Sequence, residues 1–191
     1  MYLITGVTIR VHSPNGKVKP RPAGPEELQY VKKDQKMQYA DNWKYIKWEG
    51  EMKKSPYDTE YNLRIYRSLE IYPEDIEIFM TVLMPKIFEI DGKVFFDIDG
   101  DGEPFVREAY QKKDPIKRSE CERQKDWNCI NVGNIFFNNL DNSTDETLMN
   151  ISMLIKHNWE YYLIKKYPDR RFIVEIIGDS FEPIVTFYEA Q

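Results

Sequence analysis

The chain has 191 residues, 41% of them hydrophobic and 14% aromatic, which excludes an intrinsically disordered protein because such a chain can form a core. Its formal net charge is −5, so nucleic acids and anionic membranes are disfavoured as partners and a basic partner is favoured. It contains no apolar stretch of about 18 residues, which argues against a membrane-spanning helix.

The first third of the chain combines a strand signal with a proline-rich connector. Residues 7–11 alternate apolar and polar side chains and precede Pro14-Asn15-Gly16, which predicts a strand followed by a turn. Residues 17–24 contain Pro20 and Pro22 among basic residues and predict an extended connector. Pro25, followed by two glutamates, predicts the start of a short helix. Residues 36–57 yield no predicted element.

The middle of the chain predicts several strands and one helix. Residues 61–72 carry apolar side chains at alternate positions and predict a long amphipathic strand. Pro73-Glu74-Asp75 predicts a helix start, and Pro85 predicts its end or a kink. The apolar residues of this helix have a three-to-four spacing, which predicts a buried stripe of Ile76, Phe79, Met80, Leu83 and Ile87. Residues 93–97, 105–110 and 129–137 predict further strands, because they are rich in β-branched and aromatic residues.

The last third predicts a long helix and a terminal hairpin. Ser143 and Glu146 have the spacing of a capping box, and Pro168 ends the helix that follows. Its apolar stripe consists of Leu148, Ile151, Ile155, Trp159 and Tyr162. Residues 172–177 and 184–188 predict the two hairpin strands. Together these elements predict one α+β domain, residues 1–191, with an antiparallel or mixed β-sheet and two main helices packed on one face.

One acidic segment, residues 97–102, indicates a specific chemistry. Counted from Asp97, its acids and glycine match the D-x-D-x-D-G-x5-E spacing of an EF-hand calcium loop. Calcium takes about six to eight oxygen ligands, and a glycine at position six permits the sharp turn of the loop. The candidate calcium ligands are Asp97, Asp99, Asp101 and Glu108.

The same segment also fits a plain hairpin turn without a metal, and this interpretation is favoured. The residues before Asp97 predict a strand, whereas an EF-hand loop follows a helix. Phe105, at position nine, has no side-chain oxygen. Two Asp-Gly pairs between predicted strands are independently typical of a hairpin. In that case Gly102→Ala should be the damaging change if Gly102 holds a positive φ.

Catalytic motifs are missing from the sequence. His12 and His157 are its two histidines, and neither belongs to a recognisable nucleophile or metal motif. A hydrolase with a site assembled only by the fold stays open as the third alternative.

We therefore expect a non-enzymatic binding protein of the bacterial cytoplasm, with a basic protein as its partner. The N-terminal residues have a strand pattern rather than the apolar run of a signal peptide, which favours an intracellular location. In size, acidity and lack of catalytic motifs the chain resembles immunity proteins that neutralise toxins. A calcium-binding module built on residues 97–108 is the second alternative, and in the first interpretation no cofactor is expected.

Overall fold

The computed structural model describes residues 8–9, 21–22, 42–54, 61–98, 100, 102–112, 117–137, 140 and 143–190. These residues form an α+β architecture, as the sequence predicts. The chain divides into two compact units, Met1–Asn42 and Trp43–Gln191. Cooperative unfolding of residues 1–191 as one domain stays a prediction. The helix predicted from Pro25 lies outside the described residues.

The described residues form helices of very different lengths. The helices are α1 (Trp43–Met52), α2 (Leu63–Glu70), α3 (Pro73–Leu83), α4 (Glu103–Gln111), α5 (Glu120–Trp127), α6 (Val132–Ile135) and α7 (Asp145–Lys166). None of these described helices is long and apolar enough to span a membrane. The two main helices of the prediction correspond to α3 and α7, which pack against each other.

The described strands pair only in antiparallel fashion. They are β1 (Thr8–Ile9), β2 (Arg21–Pro22), β3 (Lys86–Ile90), β4 (Lys93–Asp97), β5 (Cys129–Asn131), β6 (Phe172–Ile177) and β7 (Ile184–Glu189). β1 pairs with β2, β3 pairs with β4, and β7 lies between β5 and β6. The predicted terminal hairpin is confirmed as β6 and β7.

A two-residue turn joins β3 to β4. Asp91 and Gly92 have φ values of 49° and 75°, as a type I′ turn requires, and Asp-Gly is a favoured pair for that turn. The register places Ile90 opposite Lys93. Because the side chains of a strand alternate between its faces, this register decides which residues of β4 enter each core.

The main core lies between α7 and the sheet of β5, β7 and β6. Its buried members on α7 recur at helical spacing: Leu148, Ile155, Trp159 and Leu163. They pack with Val174, Val185 and Phe187 of the sheet. The predicted stripe of this helix is therefore confirmed. The helix is capped by Thr144 rather than Ser143, because Thr144 Oγ1 accepts a hydrogen bond from Thr147 N at 3.2 Å.

β4 is buried on both faces and links two cores. Val94 and Phe96 point into the main core, where the Phe96 and Trp159 rings meet edge to face at 5.1 Å between centroids. Phe95, on the opposite face, belongs to a second core with Phe88, Ile90, Val106 and Tyr110. α4 closes this second core with Val106 and Tyr110, which lie one helical turn apart.

Two buried amides hold α5 against β4 and β7. Gln124 Nε2 donates to Val94 O at 3.2 Å, and Gln124 Oε1 accepts from Glu189 N at 3.0 Å. Asn128, directly after α5, donates through Nδ2 to Val94 O at 3.0 Å and accepts from Phe96 N at 3.1 Å. These side chains satisfy backbone groups of β4 and β7 that face α5 instead of another strand.

Two side chains just after α7 tie its end to the β3–β4 hairpin and to β7. Arg170 Nη2 forms an ion pair with Glu189 Oε2 at 2.7 Å and donates to Gly92 O at 2.6 Å. Tyr167 OH donates to Glu89 Oε1 at 2.9 Å. Burial, helped by this hydrogen bond, raises the pKa of Tyr167 to about 12.

Three segments differ from the predicted secondary structure. Residues 63–70 of the predicted long strand form α2, which begins where Asn62 Oδ1 accepts from Arg64 N at 3.0 Å. Residues 105–110 belong to α4 rather than a strand, with Pro104 in the first helical turn, where its missing N–H costs nothing. The strand predicted at 129–137 stops at Asn131, whose side chain caps α6.

Candidate functional site

The acidic segment connects β4 to α4. Asp97 is buried at the end of β4, and its Oδ1 accepts from Gly100 N at 2.8 Å and from Gly102 N at 2.9 Å. Its Oδ2 accepts from Glu103 N at 3.4 Å. Asp97 thereby orders the turn and places a negative charge at the N-terminus of α4, where the helix dipole favours it. The predicted hairpin at this position is wrong, because a helix follows the turn.

The other candidate calcium ligands divide between described and undescribed residues. Glu108 lies on the exposed surface of α4, where an ion pair with Lys112 at 2.7 Å lowers the pKa of Glu108. Asp99 and Asp101 lie outside the described residues. Within the described part of the chain, no three His, Cys, Asp or Glu side chains group to hold a metal ion. Calcium binding therefore stays a prediction.

Gly102 does not meet the condition of a positive φ, but an added Cβ there would lie 3.2 Å from Asp97 Oδ1, so the position is tight for steric reasons. Gly102 has a φ of −73°, which any residue can adopt. Gly100 instead has a φ of +90°, in the region that favours glycine. An added Cβ at Gly100 would meet no atom within 4 Å, so its conformation, and not a lack of space, requires the glycine.

We expect excess calcium to leave the melting temperature of this protein unchanged within error. The Asp97 carboxylate already accepts hydrogen bonds from three backbone N–H groups, which order the turn without a metal. Thermal unfolding with calcium and with a chelator checks this expectation. A calcium-dependent rise that disappears in Asp99→Asn/Asp101→Asn would contradict it, and linkage sets its size at about 2.7 kcal/mol when calcium is at about 100 times its Kd.

An apolar groove lies beside α3. Its other lining residues come from segments that are distant from α3 in the sequence. Its volume is about 740 Å³. The apolar residues that α3 contributes are Ile76, Ile78, Phe79 and Val82. The other side is lined by Ile98, after β4, and by Ile130, Ile135, Phe136 and Ile151. The groove therefore joins α3 to β5, α6 and the first half of α7.

α3 exposes large apolar side chains beside this groove. Ile78 is 71% exposed and Ile76 is 53% exposed, while Met80 and Met84 are also exposed. Among the residues of α3, only Val82 is fully buried. The stripe prediction is therefore wrong for Ile76 and Met80, which are exposed, and for Ile87, which lies in β3 rather than in the helix. A helix that is apolar on most of its sides is normally enclosed by other elements, so the exposure of α3 is unusual for a surface helix.

The polar residues of the groove lie at its rim. Asp75 and Thr81 are both exposed, and Thr81 Oγ1 donates to Ile78 O of its own helix at 2.7 Å. No buried polar side chain lines the groove among the described residues. Such a surface excludes water by apolar contact and offers no fixed group that would orient a small polar molecule.

The sequence predicts α3 but does not indicate the groove beside it. Ile78 lies off the predicted three-to-four stripe of α3, between Glu77 and the partly buried Phe79. Apolar residues on both flanks of a predicted surface helix are the signal from which this surface could have been predicted. The opposite side of the groove comes from four separate segments, and their proximity has no local signal in the sequence.

No family model, curated protein sequence or solved structure matches this chain.

Proposed function

We propose that this protein acts by binding another protein, without catalysis, through the groove beside α3. The observation that supports this proposal is the exposure of Ile76 and Ile78 next to a groove with an almost wholly apolar lining. Soluble proteins seldom leave large apolar side chains together in water, and such patches are typical of interaction sites. Fully burying an exposed isoleucine contributes about 1.5–3 kcal/mol, and each of these two side chains contributes in proportion to the area that it still exposes.

A protein partner suits the groove better than a small molecule does. Specific small-molecule sites place a few polar groups inside an enclosed cavity. The described lining of this groove is open and has its polar side chains, Asp75 and Thr81, exposed at the rim. Protein interfaces combine an apolar centre with a polar rim in this way.

The form of binding that we propose is neutralisation of a basic partner, as an immunity protein neutralises its toxin. The formal net charge of −5 and the size of 191 residues fit such a role. Opposite charge on the partner would speed encounter and suppress wrong partners. The calcium-dependent module around Asp97 is the alternative, and the calcium titration described above tests it.

Replacing Ile78 with glutamate should prevent capture of the partner. Ile78 is 71% exposed, so the substitution should leave the fold intact, which circular dichroism and the melting temperature check. In a complex, the variant loses apolar contact and buries a charge, which costs at least about 2 kcal/mol, or about thirtyfold in affinity. The measurement is affinity capture from cells of the native host, with wild-type and variant protein as bait.

Ile164→Glu is the matched control for this capture. Ile164 is 65% exposed on the second half of α7 and does not line the groove. A partner retained at equal stoichiometry by the wild type and by Ile164→Glu, but lost by Ile78→Glu, supports the proposal. A stoichiometric partner that all three baits retain shows that the binding surface lies elsewhere and overturns it.

A further inference from the structure

We infer that the groove takes an amphipathic helix whose apolar side is flanked by lysine or arginine. This inference rests on the proposed function, since it names the chemistry of the partner segment. It depends on the charges around the groove, the elements that form its walls and the size of the groove.

The charged residues on α3 and on the first half of α7 are all acidic. α3 carries Glu74, Asp75 and Glu77 and no lysine or arginine. α7 begins with Asp145 and Glu146 and has no basic residue before Lys156. β5 and α6 carry no charged residue. Asp75 is the one charged residue among the described lining of the groove, so a segment that enters it meets negative charge on the α3 side.

The acids of α3 are available to a partner, and Asp75 is the one that lines the groove. Glu74, Asp75 and Glu77 are exposed, and within the described residues none of them forms an ion pair. The positive end of the helix dipole accounts for Glu74 and Asp75 in the first turn, but it leaves their outer oxygens free for further hydrogen bonds. Lysine or arginine at the edge of a docked segment would pair with these carboxylates.

The rim charge disfavours two other occupants. A second copy of this chain docked α3 to α3 would bring the same acids together, and like charges at an interface are destabilising. An anionic membrane would be repelled for the same reason. A basic partner segment instead relieves the repulsion among the acids of α3.

The walls of the groove favour a helix over an added strand. α3, α6 and α7 provide most of the lining. β5 is the one described strand that contributes to it, and its three residues give a short edge for strand addition. A volume of about 740 Å³ holds several apolar side chains, as a helix presents at positions i, i+3, i+4 and i+7.

A synthetic peptide tests the inference on the full-length protein. The probe is a fluorescent amphipathic peptide with leucines at i, i+3, i+4 and i+7 and lysines on both flanks of that stripe. The control peptide has glutamate at each lysine position and the same leucines. Binding is measured by fluorescence anisotropy at about 0.15 M salt, where the Debye length of about 8 Å limits the effect of distant charges.

We expect the lysine peptide to bind the wild type at least tenfold more tightly than the glutamate peptide. Ile78→Glu should abolish binding of the lysine peptide. Glu74→Gln/Asp75→Asn/Glu77→Gln, which removes every negative charge of α3, should weaken it about tenfold through the loss of exposed charge attraction. The control triple variant, Glu51→Gln/Glu160→Gln/Asp169→Asn, changes the net charge equally at sites away from the groove and should bind within about twofold of the wild type.

The outcomes separate this inference from the proposed function. Equal binding of both peptides, or equal loss in the two triple variants, overturns the inference of a basic helix. If neither peptide binds but native capture still depends on Ile78, the inference fails and the proposed function stands. If the lysine peptide binds through the groove while native capture ignores Ile78→Glu, the proposed function fails although the groove has the inferred chemistry.

Discussion

Replacing Trp159 with alanine should lower the free energy of unfolding by about 3–5 kcal/mol. Trp159 is completely buried on α7, where its ring meets the rings of Phe96 and Phe187. Its Nε1 also donates to Val82 O at 2.8 Å. That carbonyl lies in the last turn of α3, where the helix itself provides no N–H partner, so the substitution leaves both a cavity and an unsatisfied carbonyl. Urea unfolding followed by circular dichroism measures the loss.

Two further variants separate the contributions of Trp159. Trp159→Phe keeps much of the buried ring and removes the hydrogen bond to Val82 O, so it should cost less than the alanine variant. Tyr161→Ala is the surface control, because Tyr161 is 67% exposed on the same helix and should change stability by no more than about 0.5 kcal/mol. A loss below about 1 kcal/mol for Trp159→Ala would show that α7 is not held in the core through this residue.

The second large effect is expected for Asn128→Ala, at about 2–4 kcal/mol of lost stability. The Asn128 side chain is fully buried and accepts from Phe96 N at 3.1 Å while donating to Val94 O at 3.0 Å. Removing it leaves the Phe96 N–H unpaired in the core, and an unsatisfied buried donor costs about 1–3 kcal/mol in addition to lost packing. Val94 O keeps a partner in Gln124 Nε2, which limits the damage.

Denaturant unfolding of Asn128→Ala and Asn150→Ala tests this expectation. Asn150 is exposed on α7, so its replacement should leave stability within about 0.5 kcal/mol. Hydrogen exchange gives a second readout, because the amide of Phe96 should lose protection in Asn128→Ala before the amides of β6 do. Equal stability of the two variants would show that the hydrogen bonds of Asn128 contribute nothing to holding α5 against β4.

Local sequence signals identified the elements that are decided by local interactions. The Pro73 start of α3, the long helix α7 with its buried stripe and the β6–β7 hairpin all follow from spacing, capping and β-propensity. Residues 63–70 and 105–110 were mispredicted as strands because a short run of apolar residues fits either period. Asn62 and Pro104 at the helix starts decided these two segments, and both are weaker signals than a long stripe.

Most of the candidate groove could not be predicted from the sequence. The apolar residues of α3 could be identified, but their exposure depends on which other segments pack beside them. Similarly, the sequence marks Asp97 as a residue of specific chemistry, but only the structure shows that the N–H groups of Gly100 and Gly102 are its partners. Long-range packing of this kind has no periodic signature along one segment.

By itself, the sequence determined an acidic α+β protein whose C-terminal half contains a long capped helix with a buried apolar stripe. These features could be predicted because propensity, capping and periodicity act between residues close in the chain. Only the tertiary structure decided that Ile76 and Ile78 stay exposed while Trp159 is enclosed, although all three are large apolar residues on helices. The physical reason is that burial depends on the neighbours that long-range contacts bring to each helix face, and those neighbours are distant in sequence.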